Sequence, residues 1–134
     1  MKFEELKLGM KDSTTKTITE EDILLFAKVS TDTNPLHIDA EAAKKGIFGK
    51  QVAHGILVSG LISAVLGTKL PGEGTIYLEQ DLRFRKPVFI NDTITAEVEI
   101  VELKEDKHFV ILKTTCKNQD GVEVITGQAT VMVK

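Results

Sequence analysis

The stretch "GILVSGLISAVLG", residues 55 to 67, constrains the fold of this chain more than any other. It is apolar nearly all round, so a helix built from it has little to offer water and should be buried on most sides. It is short of the ~20 apolar residues that a membrane span needs, and it carries two serines. The fold must therefore wrap one internal helix, expected from about residue 55 to 69. Ser59, Gly60, Ser63, Ala64 and Gly67 are small. Glycine inside a helix costs about 1 kcal/mol against alanine, and close approach of another backbone is the compensation expected here.

The second half of the chain supplies the wrapper. "TIYLEQDLRF" alternates Ile76, Leu78, Leu82 and Phe84 against Glu79, Asp81 and Arg83. "TITAEVEIVEL" alternates Ile94, Ala96, Val98 and Ile100 against Thr95, Glu97 and Glu99. "HFVILKTTCK" and "VEVITGQATVMV" continue the pattern, with turn signals at "PGEG", "KPVFIND", "KEDK" and "NQDG". These predict an antiparallel meander of about five strands with one apolar face, wrapped around the helix. The class is α+β.

The first half reads as helical after a short start. Thr19 before Glu20, Glu21 and Asp22 is a capping-box-like start with negative charge at the positive end of the helix dipole. Ile23, Leu24, Ala27 and Phe26 then form the apolar stripe of an amphipathic helix over residues 20 to 29. Asp39 can cap a second short helix, "AEAAKK", ended by Gly46.

A chain of 134 residues suits a single domain, 1–134, able to bury roughly two-thirds of its unfolded surface. It is 42% apolar and 28% charged, an ordinary globular balance. Net charge is −3 with scattered basic residues, and there are 6 Phe, 1 Tyr and no Trp, so neither a nucleic-acid surface nor a base-stacking platform is indicated. The start "MKFEELKLGMKD" is too acidic and weakly apolar for a signal peptide. The expectation is a soluble cytoplasmic protein with no nucleic-acid or membrane partner. Cys116 is the single cysteine, which excludes an internal disulfide and a multi-thiolate metal site, and it reads as core filler.

Candidate chemistry concentrates in "STDTNPLHID", residues 30 to 39. Asp32 and His37 are five apart, about 140° around a helix and on opposite faces of a strand, so no regular element unites them. Pro35 fixes its own φ and turns Asn34 away from helical geometry, while Asn34 favours turns. The preceding helix should end near Ser30. The bend makes either an ordinary helix-ending turn or a loop that aims a carboxylate and an imidazole at one water. His54-Gly55 precedes the apolar helix, whose first N–H groups have no internal partner and can bind developing negative charge on an oxygen. Gly55 is equally explained by tight packing, and His54 can support the loop, contact a ligand or cap the helix. A hydroxyl such as that of Ser63 on a buried helix usually bonds back to the carbonyl four residues earlier. His108 opens a strand and is expected to be solvated. No convincing metal spacing, P-loop, dinucleotide fingerprint or G-x-S-x-G elbow occurs.

"DTNPLHID" resembles the hydratase-2 motif of the MaoC-like family, the (R)-specific enoyl-CoA hydratases. "VAHGILVSGLISAVLG" is similar to that family's segment leading into its central helix, and the strand region from "LPGEGTIYL" onward is similar too. The likeness extends from about residue 6 to 133. It implies a hotdog fold, a homodimer or higher homo-oligomer with active sites near the interface, and reversible addition of water to trans-2-enoyl-CoA. By position, Asp32 and His37 become the catalytic pair, and Gly55 the oxyanion donor through its backbone N–H. Asn34 holds the loop, His54 supports it, and Ser63 falls where the family has a serine near the aspartate. The implied partner is an acyl-CoA substrate, with no metal and no cofactor. A hotdog thioesterase and a non-catalytic acyl-binding module are the alternatives. Leu66 and Val131 are candidates to face the acyl tail. The net charge does not favour an acidic carrier protein, since like charges repel.

Overall fold

The alternation in the second half does become strands in the computed structural model, which describes residues 1–134. These are β2 (Ile76–Phe84), β3 (Thr93–Lys104), β4 (Phe109–Lys117) and β5 (Glu123–Met132). A fifth strand, β1 (Lys11–Thr17), comes from the "short start" and was not legible: "KDSTTKT" has no buried side chain. Its place in the sheet rests on backbone pairing with β3 and on cross-strand hydroxyl pairs, Thr15–Thr95 at 2.9 Å and Thr17–Thr93 at 2.8 Å. All pairings are antiparallel, in the order β1-β3-β4-β5-β2. Only β3, β4 and β5 form a meander; β2 crosses to the far edge beside β5.

The helices are α1 (Glu20–Ser30), α2 (Pro35–Ile38), α3 (Ala40–Lys44) and α4 (Gly55–Thr68). The capping box at α1 forms as expected, with Asp22 N–H donating to Thr19 Oγ1 at 3.1 Å and Thr19 N–H to Asp22 Oδ2 at 3.0 Å. Ile23 and Ala27 are buried, but Leu24 is exposed, so the apolar stripe is narrower than expected. Asp39 caps α3 through Glu41 and Ala42 N–H.

The sheet curls over one face of α4. Val58, Ile62, Val65 and Leu66 of α4 are buried against Ile94, Ala96, Val98 and Ile100 of β3 and the inward residues of β4 and β5. Each Val, Ile or Leu among them contributes about 1.5–3 kcal/mol by leaving water. The opposite face of α4 is open. Gly60, Ser63, Ala64 and Gly67 are exposed, and a Cβ added at Gly60 or Gly67 would meet nothing. The expected close backbone approach is therefore not made within one chain. No helix is long and apolar enough to cross a membrane. Cys116 is fully buried, and burial pushes its thiol up to about 12. His108 is not solvated as expected. It lies before β4 at φ 56°, half-buried and stacked on Phe3 at 4.4 Å.

Candidate active site

The end of α1 builds the first half of the site. Ser30 Oγ donates to Phe26 O at 2.7 Å and accepts from Asp32 N–H at 3.0 Å. Thr31 turns the chain through the left-handed region at φ 67°. Two side chains then replace helical hydrogen bonds in succession. Asp32 Oδ1 accepts from Asn34 N–H and Asn34 Oδ1 accepts from Leu36 N–H, both at 3.1 Å. Pro35 opens α2 at the position where its missing N–H costs nothing. The segment expected to be only a bend thus contains a single helical turn, capped by Asn34, with His37 inside it and Asp32 outside.

His37 is then anchored. Its Nδ1 lies 2.7 Å from Val52 O. A carbonyl only accepts, so Nδ1 carries the hydrogen and neutral His37 leaves the Nε2 lone pair free. Gln51 Nε2 donates to His37 O at 2.9 Å, which ties α2 to the strand-like segment before α4. That segment pairs in turn with residues 88–89, with Ala53 N–H donating to Val88 O at 2.7 Å.

His54 joins the two halves. By the same reasoning its Nε2–H donates to Asp32 O at 3.0 Å. Its ring stacks on His37 with centroids 3.9 Å apart and meets the edge of Phe26 at 4.7 Å. His54 is 2% exposed, and its Nδ1 is buried without a partner. Asp32, His37 and His54 each offer an atom within 4.8 Å of the others, a cluster that their sequence spacing does not reveal. The cluster leaves a metal only His37 Nε2 and the buried His54 Nδ1 as ring ligands, because the other two ring nitrogens are committed to carbonyls. It suits a water well. Two acceptors that share one water at hydrogen-bond length stand about 4.5 Å apart.

Gly55 opens α4, so its N–H and those of the first turn have no intrahelical partner. A Cβ there would come within 2.5 Å of the Phe84 ring, so the packing reason for glycine holds as well. Beside it lies a mostly apolar cleft of about 320 Å³, whose lining includes Leu36, His37, Gly55, Ile56, Phe84 and Val88. Leu66 and Val131 do not face it: both are in the core, 1% and 0% exposed. Ser63 lies eight residues beyond Gly55, about 12 Å along the helix. It is exposed and makes no hydrogen bond, back-bonded or otherwise. Val52 O, Gln51, Ser30 and Phe26 support the site unannounced. A backbone acceptor leaves no residue signature, and the other three are ordinary residues placed by the fold.

The MaoC like domain family matches residues 3–123. An (R)-specific enoyl-CoA hydratase of Rhodospirillum rubrum is 51% identical, covering 98% of this chain and 90% of that one. A 3-hydroxybutyryl-CoA dehydratase of Methylorubrum extorquens is 42% identical over 98% of this chain and 83% of its own length. The solved structure of an (R)-hydratase from A. caviae involved in PHA biosynthesis superposes with a TM-score of 0.93 at 41% identity, covering 96% of this chain and 98% of that one. The expected hotdog fold stands on that superposition and on the five-stranded antiparallel sheet that curls over α4. By its sequence, its fold and the whole-chain extent of the match, this chain belongs to the MaoC like domain family.

Proposed function

We propose that this protein is an (R)-specific enoyl-CoA hydratase, adding water reversibly to trans-2-enoyl-CoA and running in reverse as a 3-hydroxyacyl-CoA dehydratase. The observation that carries the reading is the convergence of Asp32 and His37 beside the open helix start at Gly55. The Asp32 carboxylate and the free His37 Nε2 each accept a hydrogen from one water, which leaves an oxygen lone pair for carbon 3 of the substrate. Gly55 N–H donates to the thioester carbonyl. As the water attacks, charge moves onto that oxygen as an enolate, and the helix N-terminus stabilises it most where it is greatest. The pair takes a proton from the water and returns one to carbon 2 on the same face. Asn34 holds the loop, and His54 fixes Asp32 and His37 relative to each other. The reaction as written needs no metal and no cofactor.

The functional unit in this reading is a homodimer. The open face of α4 and the edge strand β2, with Ile76, Tyr77 and Leu78 exposed at 51%, 39% and 45%, form the surface that a second copy covers. Ser63 belongs to that interface. The test is incubation with crotonyl-CoA, following loss of the enoyl thioester absorbance and the chirality of the product. Formation of (R)-3-hydroxybutyryl-CoA is expected; release of free CoA thiol without hydration overturns the reading in favour of a thioesterase.

A further inference from the structure

Between α3 and α4 the chain makes a turn that is apolar where turns are usually polar. Gly46, Ile47, Phe48 and Gly49 form it, with Gly49 N–H donating to Gly46 O at 3.3 Å. Its two central positions, which favour Gly, Pro, Asn, Asp or Ser, hold large apolar residues instead. Ile47 is 94% exposed, more than any other large apolar side chain here, and Phe48 is 42% exposed. Phe48 lines the same cleft as His37 and Gly55, so the apolar tip borders the proposed chemistry. The tip is loosely held. Its 3.3 Å closure is the only backbone–backbone hydrogen bond of residues 47–51, and it is long. Both flanks are fixed. Gly46 N–H donates to Ala43 O at 3.0 Å, Lys50 Nζ packs 4.2 Å from the Phe89 centroid, and Gln51 holds His37 O. A glycine stands at each joint. Gly49 lies at φ 74°, and a Cβ on it would meet nothing, so glycine there answers to backbone freedom and not to packing.

We propose that Ile47 and Phe48 form an apolar flap, hinged at Gly46 and Gly49, that closes on an acyl thioester bound in the cleft. The inference rests on the reading of the cleft as an acyl-thioester site. Continuity sets the occupant: Phe48 is already part of the wall that holds His37 and Gly55, so the bound substrate is the apolar body within reach of the tip. Sparse hydrogen bonding and few buried contacts mark a segment that moves at small cost. Closure takes Ile47 out of water and adds affinity without touching the reacting atoms. A rigid wall would gain nothing from Ile47, whose side chain lies almost wholly in solvent.

Calorimetric titration of butyryl-CoA, which has no double bond to hydrate, into the wild type and Ile47→Ser tests this. Amide hydrogen exchange of residues 45–51, with and without butyryl-CoA, is followed alongside. Ile47→Ser should bind butyryl-CoA about 10-fold more weakly, the weight of one aliphatic side chain leaving water. Its Tm should not change, because Ile47 is exposed in the free protein. Exchange at Ile47, Phe48 and Gly49 should slow in the wild-type complex. In crotonyl-CoA hydration the variant should raise KM and leave kcat nearly unchanged, as loss of uniform binding does. Unchanged affinity in Ile47→Ser, or exchange at the turn that ignores butyryl-CoA, overturns the flap. So does a lower mass for Ile47→Ser in sedimentation, which would assign the side chain to a second copy of the chain. Hydration of crotonyl-CoA with an unresponsive turn refutes the flap alone. Butyryl-CoA binding that depends on Ile47 and slows exchange at the turn, without hydration of crotonyl-CoA, refutes the proposed reaction and leaves the flap standing.

Discussion

At the scale of single residues, Asp32→Asn and His37→Gln separate proton transfer from folding. Asp32 is exposed and its carboxylate touches only the Asn34 N–H, so Asp32→Asn should leave the melting temperature nearly unchanged. Each variant should lower kcat for crotonyl-CoA hydration by roughly 10²–10⁴, the usual weight of a general acid or base. Full activity in either would remove the pair from the mechanism. Gly55→Ala tests the approach to the carbonyl. The new methyl meets the Phe84 ring at 2.5–2.6 Å, and Phe84, 52% exposed, has room to swing away. The helix start keeps its N–H but loses a wall of the cleft. kcat/KM should fall about 10-fold or more while the fold survives, since small misplacement near reacting groups is costly. In a Phe84→Ala background the same change should cost less.

At the scale of elements, α1 depends on its first turn. Thr19→Ala removes the cap on Asp22 N–H and should cost about 1 kcal/mol, or about 4 °C in Tm. Asp22 gives this a pH signature. The Thr19 N–H hydrogen bond and, secondarily, Lys16 hold its carboxyl below the ordinary value of 3.8, against an opposing effect of burial. A depressed folded value means the stabilisation is fully present above 3.8. It fades as the pH falls below that, because the unfolded chain takes up its proton first. The stability gap between wild type and Asp22→Asn, followed by urea denaturation, should therefore be constant near neutrality and close in acid. A gap that widened in acid would contradict the hydrogen-bonding pattern. The same helix ends where the chemistry begins, so α1 carries Ser30 and Phe26 into the support of Asp32 and His54.

At the scale of the whole molecule, one chain leaves a long helix half covered. The buried face of α4 accounts for the hydrophobic signal of "GILVSGLISAVLG"; its small-residue face is exposed, and the proposed dimer would cover it. Sedimentation equilibrium should give twice the chain mass. Leu78→Asp, on the exposed part of β2, should shift that toward the monomer and lower activity together with it. A monomeric wild type of full activity would refute the dimer reading. The other sheet edge makes a poor competitor, since β1 exposes lysines and threonines along its length.

The sequence by itself determined the helix that must be covered, four of the five strands, the capping of α1, and the bend that Asn34 and Pro35 impose. These are local matters of periodicity, turn chemistry and hydrogen-bonding residues, all written in neighbouring positions. It did not determine β1, whose polar residues join the sheet only because β3 offers a free edge. Nor did it place β2 at the far edge, leave one face of α4 open, or keep Leu66 and Val131 away from the cleft. Asp32 and His37 carried a visible hint; His54, 22 residues from Asp32, did not. Its hydrogen bond to the Asp32 carbonyl and its stack on His37 exist only after α1, α2 and the segment before α4 pack together. Contacts between residues distant in the chain depend on where whole elements come to rest, and that is decided by packing against a common core.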